Sequence, residues 1–360
     1  MLRWKGRALA ASCRCCAEPP AAPGLTRRAF VAGAAAAATV AATAPKTLAQ
    51  AKPHRIDVHH HVSPPAWNAA LRRENAGQAA SYNWSLQKSL DDMDKSGIAT
   101  SIASITTPGI SFLGKDEAIR IARDSNEYMA KLMTDHPGRF GLFATLPLPD
   151  IDATLKEIAY AFDTLKADGV CMMTSYDNKW LGHVHYAPVM EELNRRKAVV
   201  YTHPTSAACC TNLLPEFREP VVEYGTDTTR TIGSLVFSGA SQKYRDVTFI
   251  FSHAGGTMPF LIERFTRLPR IDRRAAGFTP EMVMAEFQRF YYDTAQAAHR
   301  AALSALTTVI PVSQIVYGTD FPFRTNEDHV RGLSAFFNLM DMKAIDRDNA
   351  LRFMPRLKAA

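Results

Sequence analysis

Long apolar runs are missing from this 360-residue chain. The longest candidate, Phe30 to Ala44, spans about 15 mostly alanine residues, short of the roughly 20 that a bilayer-crossing helix needs. A glycine-rich phosphate loop is also missing after the first strand-like segment, where an open dinucleotide-binding sheet would carry one. Cysteine is sparse. Of six, Cys13, Cys15 and Cys16 fall in the first 51 residues, leaving Cys171, Cys209 and Cys210, an odd number without metal-site spacing. No disulfide framework is implied, and Cys171, inside the apolar run GVCMMTS, reads as an ordinary core residue. Charged residues make up 21% of the chain and hydrophobic ones 47%, the balance of a globular protein with a sizeable core.

The formal charge of +7 does not amount to a nucleic-acid footprint, because it is concentrated at one end. Residues 1–51 carry Arg3, Lys5, Arg7, Arg14, Arg27, Arg28 and Lys46 against Glu18 alone, which leaves about +1 on residues 52–360. That basic segment reads as a leader: paired Arg27 and Arg28, an alanine-rich stretch, then Ala49-Gln50-Ala51 as a small-residue cleavage site. The T-R-R-x-F string resembles a twin-arginine export signal. That route carries protein that has already folded. The expected location is periplasmic or secreted, and cytoplasmic if the leader is not used. No membrane anchor is expected.

The densest chemistry lies in IDVHHHVSP, residues 56–64. On a strand, side chains alternate faces, so His59 and His61 point one way and His60 the other. Further metal-type residues close other short β-type runs: His203 in VVYTHP, His253 in FIFSHAGG and Asp320 in IVYGTDFPF. Such runs occur at 55–62, 98–105, 139–146, 169–173, 198–203, 247–253, 289–294 and 314–319, separated by segments of helical spacing. Strand and helix alternating eight times in about 300 residues is the pattern of a (β/α)₈ TIM barrel. An open doubly wound sheet is the alternative. Residues 52–360 are expected to form a single barrel domain. In a barrel the strand ends share one mouth, where ligands from different strands converge. The long loops after the first and fifth strands, 63–84 and 204–225, are expected to shape a pocket there.

His59, His61, His203 and Asp320 form a donor set that suits one divalent ion, Zn²⁺ first and Mn²⁺ as the alternative. An H-x-H pair by itself is more often two surface histidines. His183-Val184-His185, in a loop bounded by glycine and proline, illustrates that reading and is not counted as a site. His54 and His60 are expected at the surface or behind the ligands. Core packing is the first reading of Trp84 and Trp180, and an aromatic wall for a substrate is the second; Trp84 is kept as a candidate substrate contact on that second reading.

The strings IDVHHHVSPP, LDDMDKSGI, HPGRFGLFATLPLPD, VVYTHP, TDTTRTI, FIFSHAGGTMPF, FYYDTA, GTDFPF and NALRF, in order from residue 55 to about 355, resemble the amidohydrolase superfamily. The resemblance is to its branch of aminocarboxymuconate-semialdehyde decarboxylase and related aromatic acid decarboxylases. GVCMMTSYDNKWLG and the Asp227–Arg230 segment look closest to 6-methylsalicylate decarboxylases. The resemblance implies His59, His61, His203 and Asp320 as metal ligands, with Asp320 and His253 in catalysis. It implies Arg264 as an anchor for a substrate carboxylate, which in relatives can act across a dimer interface. A homodimer is therefore expected. One departure bears on the metal: other members of the branch replace the first H-x-H by a glutamate-containing motif. The run GVCMMTSY holds no lysine of the kind that bridges two metals, which favours one ion.

The expected function is therefore a metal-dependent, non-oxidative carboxy-lyase of a small aromatic or unsaturated carboxylic acid. A metal-dependent hydrolase of a lactone, amide or ester would use the same residues, with Asp320 as general base. A secreted binding protein without activity is the third reading, disfavoured by the intact ligand set.

Overall fold

The computed structural model describes residues 54–359, so the leader expected over residues 1–51 lies outside the described residues. Eight strands make up the main sheet: β1 (Arg55–His61), β2 (Ile98–Ser104), β3 (Phe140–Thr145), β4 (Gly169–Met173), β5 (Val199–His203), β6 (Thr248–Phe251), β7 (Tyr291–Asp293) and β8 (Ile315–Val316), with a short antiparallel pair, Ser175–Tyr176 and Lys179–Trp180, between β4 and β5. Each barrel strand pairs in parallel with the next. The ring closes where β8 and the residues after it meet β1. Val58 N–H donates to Tyr317 O (3.0 Å), Asp320 N–H to His59 O (2.9 Å) and His61 N–H to Phe321 O (2.8 Å). The fold is the (β/α)₈ barrel that the alternating pattern predicts.

Helices lie between the strands: α1 (Pro65–Arg73) and α2 (Leu86–Ser96) after β1, α3 (Lys115–Asp135) after β2, and α4 (Ile151–Asp163) after β3. Then come α5 (Ala187–Arg195), α6 (Glu223–Phe237), α7 (Ile262–Ile271), α8 (Pro280–Arg289), α9 (Arg300–Val309) and α10 (Asn326–Ser334). Local chemistry sets several ends. Gly97 stops α2 in the left-handed conformation at φ 69°, which costs glycine little, and the Asp150 carboxylate caps α4 by accepting from Ala153 N–H at 2.9 Å. Among the described residues no helix is long and apolar enough to cross a membrane.

Two strands stop well short of their expected ends at the barrel mouth. β6 ends at Phe251, and His253 and Ala254 then adopt φ of 54° and 56°. β8 ends at Val316, and Asp320 sits at φ 71°. Left-handed backbone cannot continue a ladder, so these two side chains project from tight turns beyond the strands. The turn after β6 requires glycine. At Gly256 (φ 66°) a Cβ would lie 2.0 Å from the Gly225 carbonyl oxygen of α6.

Candidate active site

Strand alternation sorts the three consecutive histidines of β1. His59 and His61 point into the barrel, while His60 points out, where its ring stacks on Phe321 (centroids 4.6 Å apart) and Nε2 meets Ser89 Oγ of α2 at 2.9 Å. His60 is thus a buried core residue between barrel and helix. Inside, the donor atoms of His59, His61, His203 and Asp320 all lie within 4.8 Å of one another, and all four residues are buried. His59 Nε2 and His61 Nε2 are 3.0 Å apart, and Asp320 Oδ1 lies 3.2 and 3.3 Å from them.

The partners behind the rings determine which nitrogen faces this point. His59 Nδ1 meets Asp293 Oδ2 at 2.8 Å, His61 Nδ1 meets Ser104 Oγ at 3.2 Å, and His203 Nδ1 meets Pro204 O at 3.0 Å. With each Nδ1 engaged, each Nε2 is left toward the centre, the arrangement that orients imidazole ligands around a metal. Asp293 is fully buried. Besides His59 it accepts from Tyr201 OH (3.3 Å), His253 N–H (2.8 Å) and Ala295 N–H (3.0 Å). It therefore fixes one ligand ring and the turn that carries His253. Sequence reading assigned Asp293 no role, although an acid closing the seventh strand run, in RFYYDT, was the available signal.

The electrostatics fit a cation. Burial opposes a charge on His59, but Asp293 and Asp320 overcome it and push its pKa up to about 10. Burial, helped by the charge on His59 and opposed by Asp320, brings His61 down to about 4. His203 is held well below the ordinary histidine value by burial and its two neighbouring imidazoles. Asp320 is held well below the usual carboxylate value: burial opposes this, and contacts with His59, His253 and His61 prevail. With neutral rings, the Asp320 carboxylate faces the centre and the Asp293 carboxylate lies directly behind His59. A divalent ion balances them, and three imidazoles with one carboxylate are donors that zinc and manganese both accept.

Asp320 divides its two oxygens. Oδ1 faces the imidazoles, while Oδ2 accepts from Gln296 Nε2 at 2.9 Å and lies 3.4 Å from His253 Nε2. That long contact leaves His253 Nε2 without a hydrogen-bond partner, although the atom is buried. Its ring stacks on His59 at 5.1 Å. Above this pair opens a cavity of about 750 Å³, lined at its floor by His203, His253, Asp320, Gln296 and Thr106 and higher up by Tyr224, Pro220, Val221, Val222, Pro259, Phe260, Phe323 and several alanines of the α9 region. The long loops after β1 and β5 both contribute to it, through Gln78 and through residues 220–225. Neither lysine nor arginine lines it.

Two expected substrate contacts are not in the cavity. Trp84 packs outside the barrel against Tyr128, and its Nε1–H donates to Ser89 Oγ at 2.9 Å, because the loop after β1 has already turned outward to begin α2. Arg264 is exposed on α7 and absent from the cavity lining of its own chain. Trp180 also misses the cavity: its indole N–H donates to Asp227 Oδ1 at 2.7 Å. His183 and His185 are exposed beside α5, away from the ligands.

The family described as amidohydrolase matches residues 56–356. The chain belongs to the amidohydrolase family. This amidohydrolase is 36% identical over 325 residues to the decarboxylase yanB of Aspergillus niger, covering 84% of this chain and 88% of that one. It is 36% identical over 326 residues to the 6-methylsalicylic acid decarboxylase acuB of Aspergillus aculeatus, covering 85% and 97%. Its fold matches a crystal structure of a dihydroxybenzoic acid decarboxylase from Polaromonas sp. JS666 with bound manganese and 2-nitroresorcinol. The TM-score is 0.72, with 85% of this chain and 98% of that chain covered; at 21% identity this likeness shows the fold alone.

Proposed function

We propose that this amidohydrolase is a metal-dependent, non-oxidative carboxy-lyase of a small aromatic acid, with 6-methylsalicylate the first substrate to test. The divided carboxylate of Asp320 carries the reading: one oxygen joins the ligand cluster, and the other faces His253 and the cavity. A divalent ion on His59, His61, His203 and Asp320 would polarise a bound carboxylate and an oxygen beside it. The names of the two relatives support decarboxylation, and that of the acuB enzyme supports the substrate class. Zinc and manganese both fit the donors, and metal analysis of the purified protein decides between them.

Loss of CO₂ from an aromatic carboxylate requires one proton on the ring carbon that held it. Asp320 is ionised at rest, so the proton reaches Oδ2 from His253 Nε2 and passes from Oδ2 to the ring carbon. His253, stacked on His59 and anchored through its backbone N–H to Asp293, is held for that exchange. The upper cavity presents mainly apolar side chains to the ring. Because no lysine or arginine lines the cavity, Arg264 reaches a substrate carboxylate only from a second subunit. A homodimer is therefore part of the proposal.

The test is turnover in D₂O. Metal-loaded protein given 6-methylsalicylate should release CO₂ and form 3-methylphenol with deuterium on the carbon that lost the carboxylate. Opening of lactones with no CO₂ from any aromatic acid would move the protein to the hydrolase reading. The leader supports a further proposal, that the folded enzyme is exported. Replacing Arg27 and Arg28 by lysine should retain an unprocessed precursor in the cytoplasm, and normal processing of that variant would refute it.

A further inference from the structure

The proposed reaction makes no use of the adjacent thiols of Cys209 and Cys210. They close a single 3₁₀ turn, Ala208–Cys210, in the long loop after β5, the loop whose residues 220–222 line the active-site cavity. Both are free, Cys209 exposed and Cys210 half-buried. Their Sγ atoms are in direct contact, 2.6 Å apart. The turn permits this, since on an extended strand neighbouring side chains point to opposite faces. Cys171, in β4, is buried and offers no exposed thiol.

Cys210 has two further neighbours. Its Sγ accepts from Arg230 Nη2 at 3.7 Å, and the same guanidinium lies 3.5 Å from Glu223 and 3.6 Å from Asp227. Cys210 also lines a second cavity of about 240 Å³ with Leu213, Leu214, Phe217 and Val222, which leaves room beside the pair for an incoming group. Contact with the Cys209 thiol holds Cys210 above the ordinary thiol range, and Arg230 opposes this. The exposed Cys209 is therefore the sulfur that attacks first, and Cys210, beside a cation, the one that follows. We propose that Cys209 and Cys210 form a thiol–disulfide exchange site, which a low-molecular-weight disulfide such as glutathione disulfide closes into a reversible vicinal disulfide. The Cys209 thiolate attacks one sulfur of the reagent and expels the other half as a thiolate. Cys210 then gives up its proton, attacks Cys209 Sγ and expels the second half. One disulfide breaks and one forms, and the reagent leaves as two thiols carrying the two electrons and two protons that the pair has lost. Adjacent Cα atoms are about 3.8 Å apart, below the roughly 4.4 Å at which ordinary disulfides begin. A bridge forced into closer spacing stores strain and is more easily reduced, so this pair suits switching rather than stapling. Nothing in the exchange depends on the carboxy-lyase reading.

Trypsin isolates the pair: residues 198–218, between the cleavage sites after Lys197 and Arg218, form one peptide with no other cysteine. Metal-loaded full-length protein, freed of excess metal, is treated with glutathione disulfide, blocked with iodoacetamide, digested and weighed. The peptide should be two hydrogens lighter than its reduced form and carry no alkyl group, whereas the reduced protein should carry one on each cysteine. Excess reduced glutathione should restore both alkylation sites. Cys210→Ser should stop halfway, holding one glutathione at Cys209, and the Cys209→Ser/Cys210→Ser variant should take up none on this peptide. Two glutathiones on the wild-type peptide would overturn the proposal, as would a link to another peptide or a second chain. Full alkylation after treatment would do the same, and so would a ring that excess reduced glutathione fails to open.

Discussion

At and beneath the floor of the cavity, His59, His61, His203, Asp320 and Asp293 are buried, and their polar atoms are held by fixed partners. At its rim, Val221 is 73% exposed and Phe260 85% exposed, with apolar side chains that no hydrogen bond can orient. The floor is determined by polar partners behind each group, so small changes there should propagate into metal affinity and chemistry. The rim is determined by little more than volume and hydrophobicity, so it should tolerate change. The same contrast separates what reacts from what merely encloses.

The largest effect should come from removing a ligand. His203→Ala should lose most of its metal and at least about 10³-fold in kcat, since a bound ion is worth several kcal/mol to charge developing in the transition state. Elemental analysis and turnover check it together. A variant that keeps its metal would remove His203 from the floor.

One layer out, Asp293→Asn should keep the fold while metal affinity falls by roughly 10–100-fold, as for other partners that orient ligating histidines. Competition with a chelator reads the change. An unaltered affinity would reduce Asp293 to packing.

Proton release sharpens the electrostatic side. Without metal, His59 carries a proton up to a pKa of about 10, favoured by Asp293 and Asp320, while His61 stays neutral down to about 4. Metal binding must displace the His59 proton, so about one proton should leave per ion between those two values. Apparent affinity should fall about tenfold for each pH unit below 10 in that window, and more steeply below 4. Calorimetry in buffers of different ionisation enthalpy counts the protons, and a count near zero at pH 7 would contradict the charge assignment.

The smallest effect belongs to the rim. Val221→Ala should change stability by less than about 0.5 kcal/mol, the usual range for exposed positions, and leave metal content alone. Thermal melting and metal analysis decide this, and loss of metal would break the contrast between floor and rim.

The barrel was legible because period-two runs alternate with helical ones, and the eight barrel strands fall within the eight expected segments. The four ligand-type residues were legible because strand alternation and strand ends are sequence properties. The turns that aim His253 and Asp320 were not, since left-handed backbone at a histidine or aspartate follows from packing against α6 and β1 rather than from local preference. Asp293, Gln296 and Tyr224 acquire meaning only when distant segments meet. Trp84 was misplaced because a residue in a long loop carries no signal of the direction in which the loop turns. Arg264 was assigned by resemblance, which names a residue without naming the subunit that uses it.

The central claim is that one ion on His59, His61, His203 and Asp320 makes the floor a decarboxylating centre. Titrating divalent metal into exhaustively chelated protein, with CO₂ release from an aromatic acid as the readout, tests it most directly. Activity should rise from near zero in proportion to added metal and level off at about one ion per chain, the stoichiometry of an open catalytic site. Full activity in the chelated protein, or a rise that continues well past one ion per chain, would contradict the account.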